Sequence, residues 1–573
     1  MLALLALPLV AAQLVPQQTY TPPGAAAGNT PSTGTPNAQW SAVLGNALWF
    51  YDGQRSGRLD AGAYPNRVAW RQDSAVNDGE TVGLDLSGGW YDAGDWIKAT
   101  YPLGITMWAL SWSAMSYGPG FEAANQTAYM DSTLRWGYDW LMKAHPTDDT
   151  LYVQCGSSEH DGGNGYWGPD DGLPRNRPCY AVNASYPGTD AWASTAGAFA
   201  MGSLAYQGTQ WNTSATAWGP VPLANASYAQ QLLKHGETLY RVAKENDKAS
   251  FTDSLKDIGR AYVPSSYGDD LCTAALALAA ATNDSTYYAE AYGHYTNYSL
   301  TGSGAVWNWD SRIPAAYVMF AELAAARPGL AAGAGLDANL TGWQSEVEGW
   351  IERSIAGEGG RTYLTHAGLI FWAGDSDEGS LNPAMAFAAL LLRYAPLASS
   401  TERATRYRDF AATQIDYLMG KNPMNVPYIV GQHPNSPAAP HVVRGSGLTD
   451  QSNLREPPTN KETLYGAVPG GPRPSDLFWS WRDDWVQNEV ALDYNANLPA
   501  LAAYQLITGA SDPYYVGVTA GYSIPKGEPC DAALPCENGL SGGAIAGIVI
   551  GCLVAIVLAG VAVWLYRRHK RKG

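Results

Sequence analysis

Charge is scarce in this 573-residue chain: 15% of its residues are Asp, Glu, Lys or Arg, and 35 basic residues face 52 acidic ones, for a formal net charge of −17. The basic excess of a nucleic-acid footprint is missing, so DNA and RNA are set aside as partners. Few Lys and Glu also argue against long solvent-laced coiled coils. Cysteine is thin as well, six residues in all, too few for a disulfide scaffold and without the spacing of a cysteine metal cluster. Cys155 with Cys179, and Cys530 with Cys536, are the local pairs on offer. Cys272, in the apolar run LCTAALALAAA, reads as a buried thiol because no neighbouring base would activate it. No GxGxxG or GxxxxGK run marks a dinucleotide or phosphate site, and His145, His160 and His441 lack zinc spacing.

What is abundant is Gly (62), Pro (36), Trp (22) and Tyr (35), a loop-rich, aromatic-rich profile that suits carbohydrate handling outside the cell. Both ends read as addresses. Residues 1–12 are apolar from Leu2 and close on small residues, as a signal peptide does, although a basic n-region is lacking. Residues 544–566 are 23 in a row without a charge, enough to cross about 30 Å of hydrocarbon as a helix. Trp564 and Tyr566 then fall where interfacial aromatics belong, and the basic tail 567–573 orients the span with its C-terminus in the cytosol. A GPI signal, the rival reading, would end in its hydrophobic stretch rather than in a basic run. Seven N-x-Ser/Thr acceptors, at Asn125, Asn183, Asn212, Asn225, Asn283, Asn297 and Asn339, all precede the span. The expectation is a single-pass type I protein of the secretory pathway or plasma membrane, with its working part outside the cell or in the lumen.

Between the ends, 13–38 is rich in Pro, Thr, Gly and Ala and predicts a flexible leader, 39–517 one large domain, and 518–543 a juxtamembrane linker. Length alone would allow two to four domains. Helical stripes fall at 40–54, 101–115, 123–143, 191–206, 227–245, 269–281, 287–295, 314–326, 339–355, 382–394, 404–418 and 488–508. Strand patterns are short and scattered, so the expectation is an all-α toroid or bundle with long loops, followed by the C-terminal transmembrane helix.

Two polar clusters interrupt the helices. In DLSGGWYDAGDW (85–96), Asp92 and Asp95 are spaced by Ala93-Gly94, which can turn both carboxylates toward one cleft, and Trp90, Tyr91 and Trp96 offer sugar-stacking walls. The same acids suit a bound cation or the cap of a following helix. In WRDDWVQNEVALDYNA (481–496), Glu489 precedes apolar Val490 and Ala491. Desolvation there would raise its pKa and make it a general acid, whereas a helix N-terminus would lower it.

The run DLSGGWYDAGD resembles the N-terminal catalytic motif of glycoside hydrolase family 9, and NEVALDYNA resembles that family's C-terminal acid motif. Further similarity, at YPGTDAWASTAGAFA, SSYGDDLCTAALALAAAT, WNWDSR, LNPAMAFAAL and DYLMGKNPMNVPYIVG, extends it over about residues 39–510. The resemblance implies an (α/α)6 barrel that hydrolyses β-1,4-glucosidic bonds in cellulose-like or mixed β-glucans, endo-acting and with inversion. It implies Asp95 as the base that activates water, Asp92 as its helper and Glu489 as the acid. Inversion requires acid and base about 6.5 to 9.5 Å apart, leaving room for water.

It further implies that 424–444 binds substrate, with His441 and Arg444 donating to sugar hydroxyls, although PHVVR has one residue more than the usual H-x-R. A loop-stabilising salt bridge is the other reading of Arg444. Ser480 and Ser194 replace a common Asp and Glu, while Asp483 and Asp484 keep the acidic pair. The substrate-binding candidates are Trp90, Tyr91, Trp309, His441, Arg444, Asp484 and Tyr494, with Trp307, Trp372, Trp481 and Trp485 as further loop aromatics. No cofactor is required, though acidic and backbone oxygens over 148–171 offer a place for a structural calcium ion, as in some members of the family. Two other functions stay open: an exo-acting oligosaccharide β-glycosidase on the same scaffold, and an inactive carbohydrate-binding membrane protein.

Overall fold

The computed structural model describes residues 13–60, 66–161, 165–208, 219–259 and 261–536. It divides into two compact units, Met1–Lys526 and Gly527–Gly573. In the second, the described residues hold the disulfide between Cys530 and Cys536.

Twelve long helices among the described residues build the first unit: α1 (Ala38–Gly53), α2 (Thr100–Ser116), α3 (Thr127–Ala144), α4 (Thr189–Gln207), α5 (Ala226–Glu245), α6 (Gly268–Thr282), α7 (Ser285–Asn297), α8 (Ile313–Ala326), α9 (Leu340–Ala356), α10 (Leu381–Tyr394), α11 (Thr401–Leu418) and α12 (Leu498–Thr508). Six of them close a ring in sequence order. Helix α2 packs on α4, α4 on α6, α6 on α8, α8 on α10, α10 on α12, and α12 back on α2. The others back them from outside: α1 against α12, α3 against α2, α5 against α4, α7 against α6, α9 against α8 and α11 against α10. This is the (α/α)6 arrangement.

Sequence pattern separates inner α6 from outer α5. In α6 every residue from Gly268 to Ala280 is buried, which its Ala- and Leu-rich sequence tolerates on all sides. In α5 the buried set is a stripe that includes Tyr228, Ala229, Leu232, Gly236, Leu239, Tyr240 and Ala243, one apolar face with polar residues around it. Strands are minor: β1 (Lys98–Ala99), β2 (Leu151–Cys155) and β3 (Cys179–Val182) form an antiparallel sheet in that order, and β4 (Thr362–Leu364) pairs with β5 (Ile370–Trp372). Cys155 and Cys179 are register partners across β2 and β3 and are disulfide-bonded. Cys272 is buried with a free thiol.

Several expectations change. The membrane-anchored form is corrected: among the described residues no helix is long and apolar enough to cross a membrane. The long helices there bury their apolar residues against one another instead. The assigned span 544–566, its basic tail and the signal segment 1–12 lie outside the described residues, so a transmembrane helix, a membrane partner and type I placement in the secretory pathway or plasma membrane are not carried further. The expected helix over 488–508 is three pieces, Trp485–Asn488, Leu492–Asn495 and α12, with Glu489 extended between the first two. Among the glycan acceptors, Asn225 is buried and its side chain caps α5 by accepting from Tyr228 N at 3.2 Å. Its amide is thus committed to the fold.

The segment read as a flexible leader is held down along its length. Leu14 N donates to Asp131 Oδ2 (2.8 Å), Tyr20 N to Tyr129 Oη (2.8 Å), and Tyr20 Oη to Asn46 Oδ1 (2.7 Å) and Ala42 O (3.1 Å). Asn29 Oδ1 meets His433 Nε2 at 2.8 Å, and Gln39 Nε2 donates to Ala27 O (2.8 Å). The composition was that of a linker, but one tyrosine and a few polar anchors suffice to order it. Replacing Tyr20 with alanine removes the ring and two hydrogen bonds on α1, and is expected to cost about 3 kcal/mol of stability. A lower denaturant midpoint measures it, and an unchanged midpoint would show that the strap carries no stability.

Candidate active site

Two connections carry the polar motifs to one place: 54–99, between α1 and α2, and 419–497, between α11 and α12. They are stitched by backbone. Leu492 N donates to Asp92 O (2.8 Å) and Val443 N to Gly94 O (2.8 Å), while within the second connection His441 N donates to Asn488 O (2.8 Å) and Gly470 N to Glu489 O (2.9 Å). Gly94 is the pivot. A Cβ there would lie 1.9 Å from His441 O, so only glycine lets the two chains approach this closely. Its amide points at the acid, donating to Glu489 Oε1 at 3.4 Å. The loop itself is closed by Asp92 N donating to Ile97 O (2.8 Å).

Asp92, Asp95 and Glu489 are thereby brought together, Asp92 buried and the other two half-buried. Burial pushes the Asp92 carboxyl well above the usual range, with Asp493 and Asp95 adding to the rise and the hydrogen bond from Tyr262 opposing it. Tyr262 Oη donates to Asp92 Oδ2 at 2.5 Å, while Asp92 Oδ1 has no protein partner. Asp95 is pushed up to about 7, by burial first and by Asp161, against the pull of Ile97 N and Arg177. Its Oδ1 accepts from Ile97 N at 2.9 Å, and α2 begins at Thr100 with no side-chain cap, so Asp95 does not cap that helix. Glu489 is held well above the carboxylate range by burial and then by Asp95. Because it sits in extended backbone after a one-turn helix, the lowering expected of a helix N-terminus does not apply.

The other candidates separate. His441 is buried, and its Nδ1 contacts Arg482 O at 2.6 Å. A carbonyl only accepts, so Nδ1 carries the proton, and burial holds the ring neutral with Nε2 as an acceptor. Trp309 is half-buried, edge-on to Tyr262 at 5.1 Å, and so lines the wall beside Asp92. Tyr494 lies close to the carboxylates and donates to Glu378 O at 3.0 Å. Trp90 and Tyr91, in contrast, are 2% and 0% exposed and belong to the core: Trp90 packs on Tyr51, and Tyr91 donates to Ser74 Oγ and meets Trp96 edge-on. Neither has a face for a sugar. Trp307 and Trp372 are likewise buried, while Trp481 and Trp485 are half-buried. Arg444 donates to Asp170 Oδ2 (2.7 Å) and to Trp70 O, the salt-bridge alternative. Asp484 is fully buried, accepting from Gln487 N (3.1 Å) and Nε2 (2.5 Å).

Three residues at the site were missed from sequence. Tyr262 comes from a loop without any recognisable motif. Asp493, four residues after Glu489 in the same motif, is pushed up to about 7 by burial and accepts from Asn382 Nδ2 at 3.1 Å. Asp161 adds negative charge felt by Asp95, Glu489 and His441. Among the described residues no group of three or more His, Cys, Asp or Glu could hold a metal ion, and residues 162–164 of the stretch considered for calcium lie outside them. In that stretch Asp170 is taken by Arg71 and Arg444, and Asp148 by Arg241.

Residues 40–502 match the sequence model of glycosyl hydrolase family 9. Endoglucanase A of Bacillus pumilus is 33% identical over 463 residues, covering 79% of this chain and 64% of that protein. This chain therefore spans less than two thirds of that relative's length. Among solved structures, an endoglucanase of the termite Nasutitermes takasagoensis superposes with a TM-score of 0.70 at 30% identity, covering 82% of this chain and 99% of that one. The cellulase Cel9M of C. cellulolyticum in complex with cellobiose gives 0.69 at 28%, with the same coverage.

Gly94→Ala tests the pivot. The added methyl must displace the His441 backbone and with it the Gly94 contact to Glu489, so turnover is expected to fall at least 100-fold. Steady-state kinetics on a soluble β-glucan, with circular dichroism to verify folding, measures it; a folded variant with wild-type kcat would show that the approach is dispensable.

Proposed function

From a chain that belongs to glycosyl hydrolase family 9, we propose endo-acting hydrolysis of β-1,4-glucosidic bonds in cellulose-like or mixed β-glucans, with inversion at the anomeric carbon. The endoglucanases and the cellobiose-bound cellulase it resembles support that substrate class. One observation carries the mechanism: a carboxyl kept high by burial, Glu489, is bonded to the amide between two further aspartates. An inverting hydrolase needs that division, a proton donor for the leaving oxygen and a separate base for water.

In this reading Glu489 gives its proton to the glycosidic oxygen as the bond to the anomeric carbon breaks. Asp95 removes a proton from the attacking water, and Asp92 orients that water, its other oxygen fixed by Tyr262. Trp309 and Tyr494 flank the sugar, and neutral His441 presents an acceptor to a hydroxyl. Water enters opposite the departing chain, so a β bond yields an α product, with no covalent intermediate.

Asp95→Asn and Glu489→Gln are each expected to lower kcat at least 1000-fold while the protein stays folded. Near-normal turnover in either folded variant would remove that residue from the mechanism. Anomer-resolved NMR of the first product should show the α form, and initial β product would contradict inversion. The base must be ionised to work, so kcat/KM should rise as pH climbs through the Asp95 value of about 7 and fall again when Glu489 loses its proton at higher pH. A profile already flat from pH 4 upward would speak against Asp95 as base.

A further inference from the structure

The turn that ends α1 reaches both polar connections. After Gly53 the chain leaves the helix and runs antiparallel to the stretch before Asp92: Ser56 N donates to Gly89 O (2.9 Å) and Tyr91 N to Gln54 O (2.9 Å). Backbone pairing stops there, and the Gln54 side chain continues it. Its Nε2 donates to Ala93 O at 2.6 Å and to Tyr91 O at 3.4 Å, the carbonyls of the two residues that flank Asp92. A carbonyl only accepts, so the group facing both is the NH2 rather than the amide oxygen. Tyr51, one turn earlier, serves the other motif. Its Oη donates to Leu492 O at 2.9 Å, and Leu492 N in turn donates to Asp92 O at 2.8 Å. Residues three apart share a helix face, so one edge of α1 touches both connections.

Together these bonds enclose one residue. Asp92 N donates to Ile97 O, Asp92 O accepts from Leu492 N, and the residues on both sides are held by Gln54, so the main chain at Asp92 is fixed while its carboxyl keeps Oδ1 without a protein partner. Tyr51 and Gln54 are 0% and 1% exposed and lie beneath the loop, out of reach of a sugar. An amide that bridges two carbonyls is not in itself unusual here: Gln39 Nε2 donates to Ala27 O (2.8 Å) and Thr30 O (2.6 Å) on the N-terminal strap. What sets Gln54 apart is the place it holds, the two peptides around Asp92, and Gln39 supplies a matched control.

We propose that Tyr51 and Gln54 are positioning residues for the hydrolysis, holding Asp92 where the attacking water must be oriented and in register with the segment that carries Glu489. Both act through Asp92 and touch no substrate. The proposal rests on Asp92 as the residue that orients water, and the two can fail separately.

The test is a double-mutant cycle read by steady-state kinetics on a soluble β-glucan. Gln54→Met and Tyr51→Phe keep the shape of the side chain and remove its donor. Each is expected to lower kcat about tenfold with KM within about twofold, since a loosened Asp92 misplaces the water but leaves the sugar contacts alone. Placed on Asp92→Asn, the same substitutions should change kcat by less than about twofold, because the residue they act through no longer performs its step. Gln39→Met, which loses the same kind of clamp on the strap, should lower the denaturant midpoint and leave kcat unchanged. Wild-type kcat in one folded variant removes that residue from the proposal, and in both overturns it. Losses that add in full on Asp92→Asn overturn it too, as does an equal fall of kcat in Gln39→Met, since either marks a general loosening of the fold. Failure of both Gln54→Met and Tyr51→Phe to fold also overturns it, because the bonds would then serve stability. If Asp92→Asn itself keeps wild-type kcat, the reading of Asp92 falls instead.

Discussion

The cleft depends on a backbone contact made where a side chain is missing. At Gly94 two loops from opposite ends of the domain come within hydrogen-bonding range, and any Cβ would meet a carbonyl at 1.9 Å. From that contact the rest follows. Val443 bonds to Gly94, Leu492 to Asp92, and the Gly94 amide reaches Glu489, so the acid is registered against the aspartates by main chain rather than by flexible side chains. Main-chain registration suits acid–base chemistry, in which an error of about 1 Å can cost two orders of magnitude in rate.

That geometry creates an electrostatic problem. On top of burial, Asp493 and Asp95 raise the proton affinity of Asp92, Asp161 raises that of Asp95, and Asp95, Asp92 and Asp161 raise that of Glu489. The fold divides the consequences. Tyr262 holds one oxygen of Asp92, Asn382 one of Asp493, and Arg177 draws Asp95 down, whereas Glu489 has only the weak Gly94 amide and stays high. The proposed acid and base differ through their surroundings, not through residue type. In a chain with so few cations, three buried aspartates, Asp52, Asp78 and Asp170, each still hold two of them, which shows where the scarce positive charge is concentrated.

Much of this was legible. Helix α6, apolar all round, stands in the inner ring and α5, with one apolar face, in the outer ring, because burial on every side and burial on one side leave different periodicities. The two motifs located the acid residues through dense polar and glycine-rich sequence between apolar stripes. The aromatics were not legible in the same way. Trp90 and Tyr91 flank the acids in sequence, but alternate geometry turns them into the core, while Trp309 and Tyr262, far away in sequence, line the cleft. A leader with linker composition proved to be ordered by Tyr20, whose partners on α1 and α3 lie more than twenty residues away.

The sequence by itself determined the family and the all-α ring, and it pointed to Asp92, Asp95 and Glu489 as the proposed carboxylates, since periodicity and contiguous motifs are local properties that one chain displays directly. Tertiary structure alone decided which way each acid is tuned, which tryptophan meets solvent, and that Arg444 and Asp484 are braces. Those outcomes depend on long-range burial and on neighbours tens to hundreds of residues away, and an ionisable group takes its proton affinity from the charges and water around it rather than from its place in the chain.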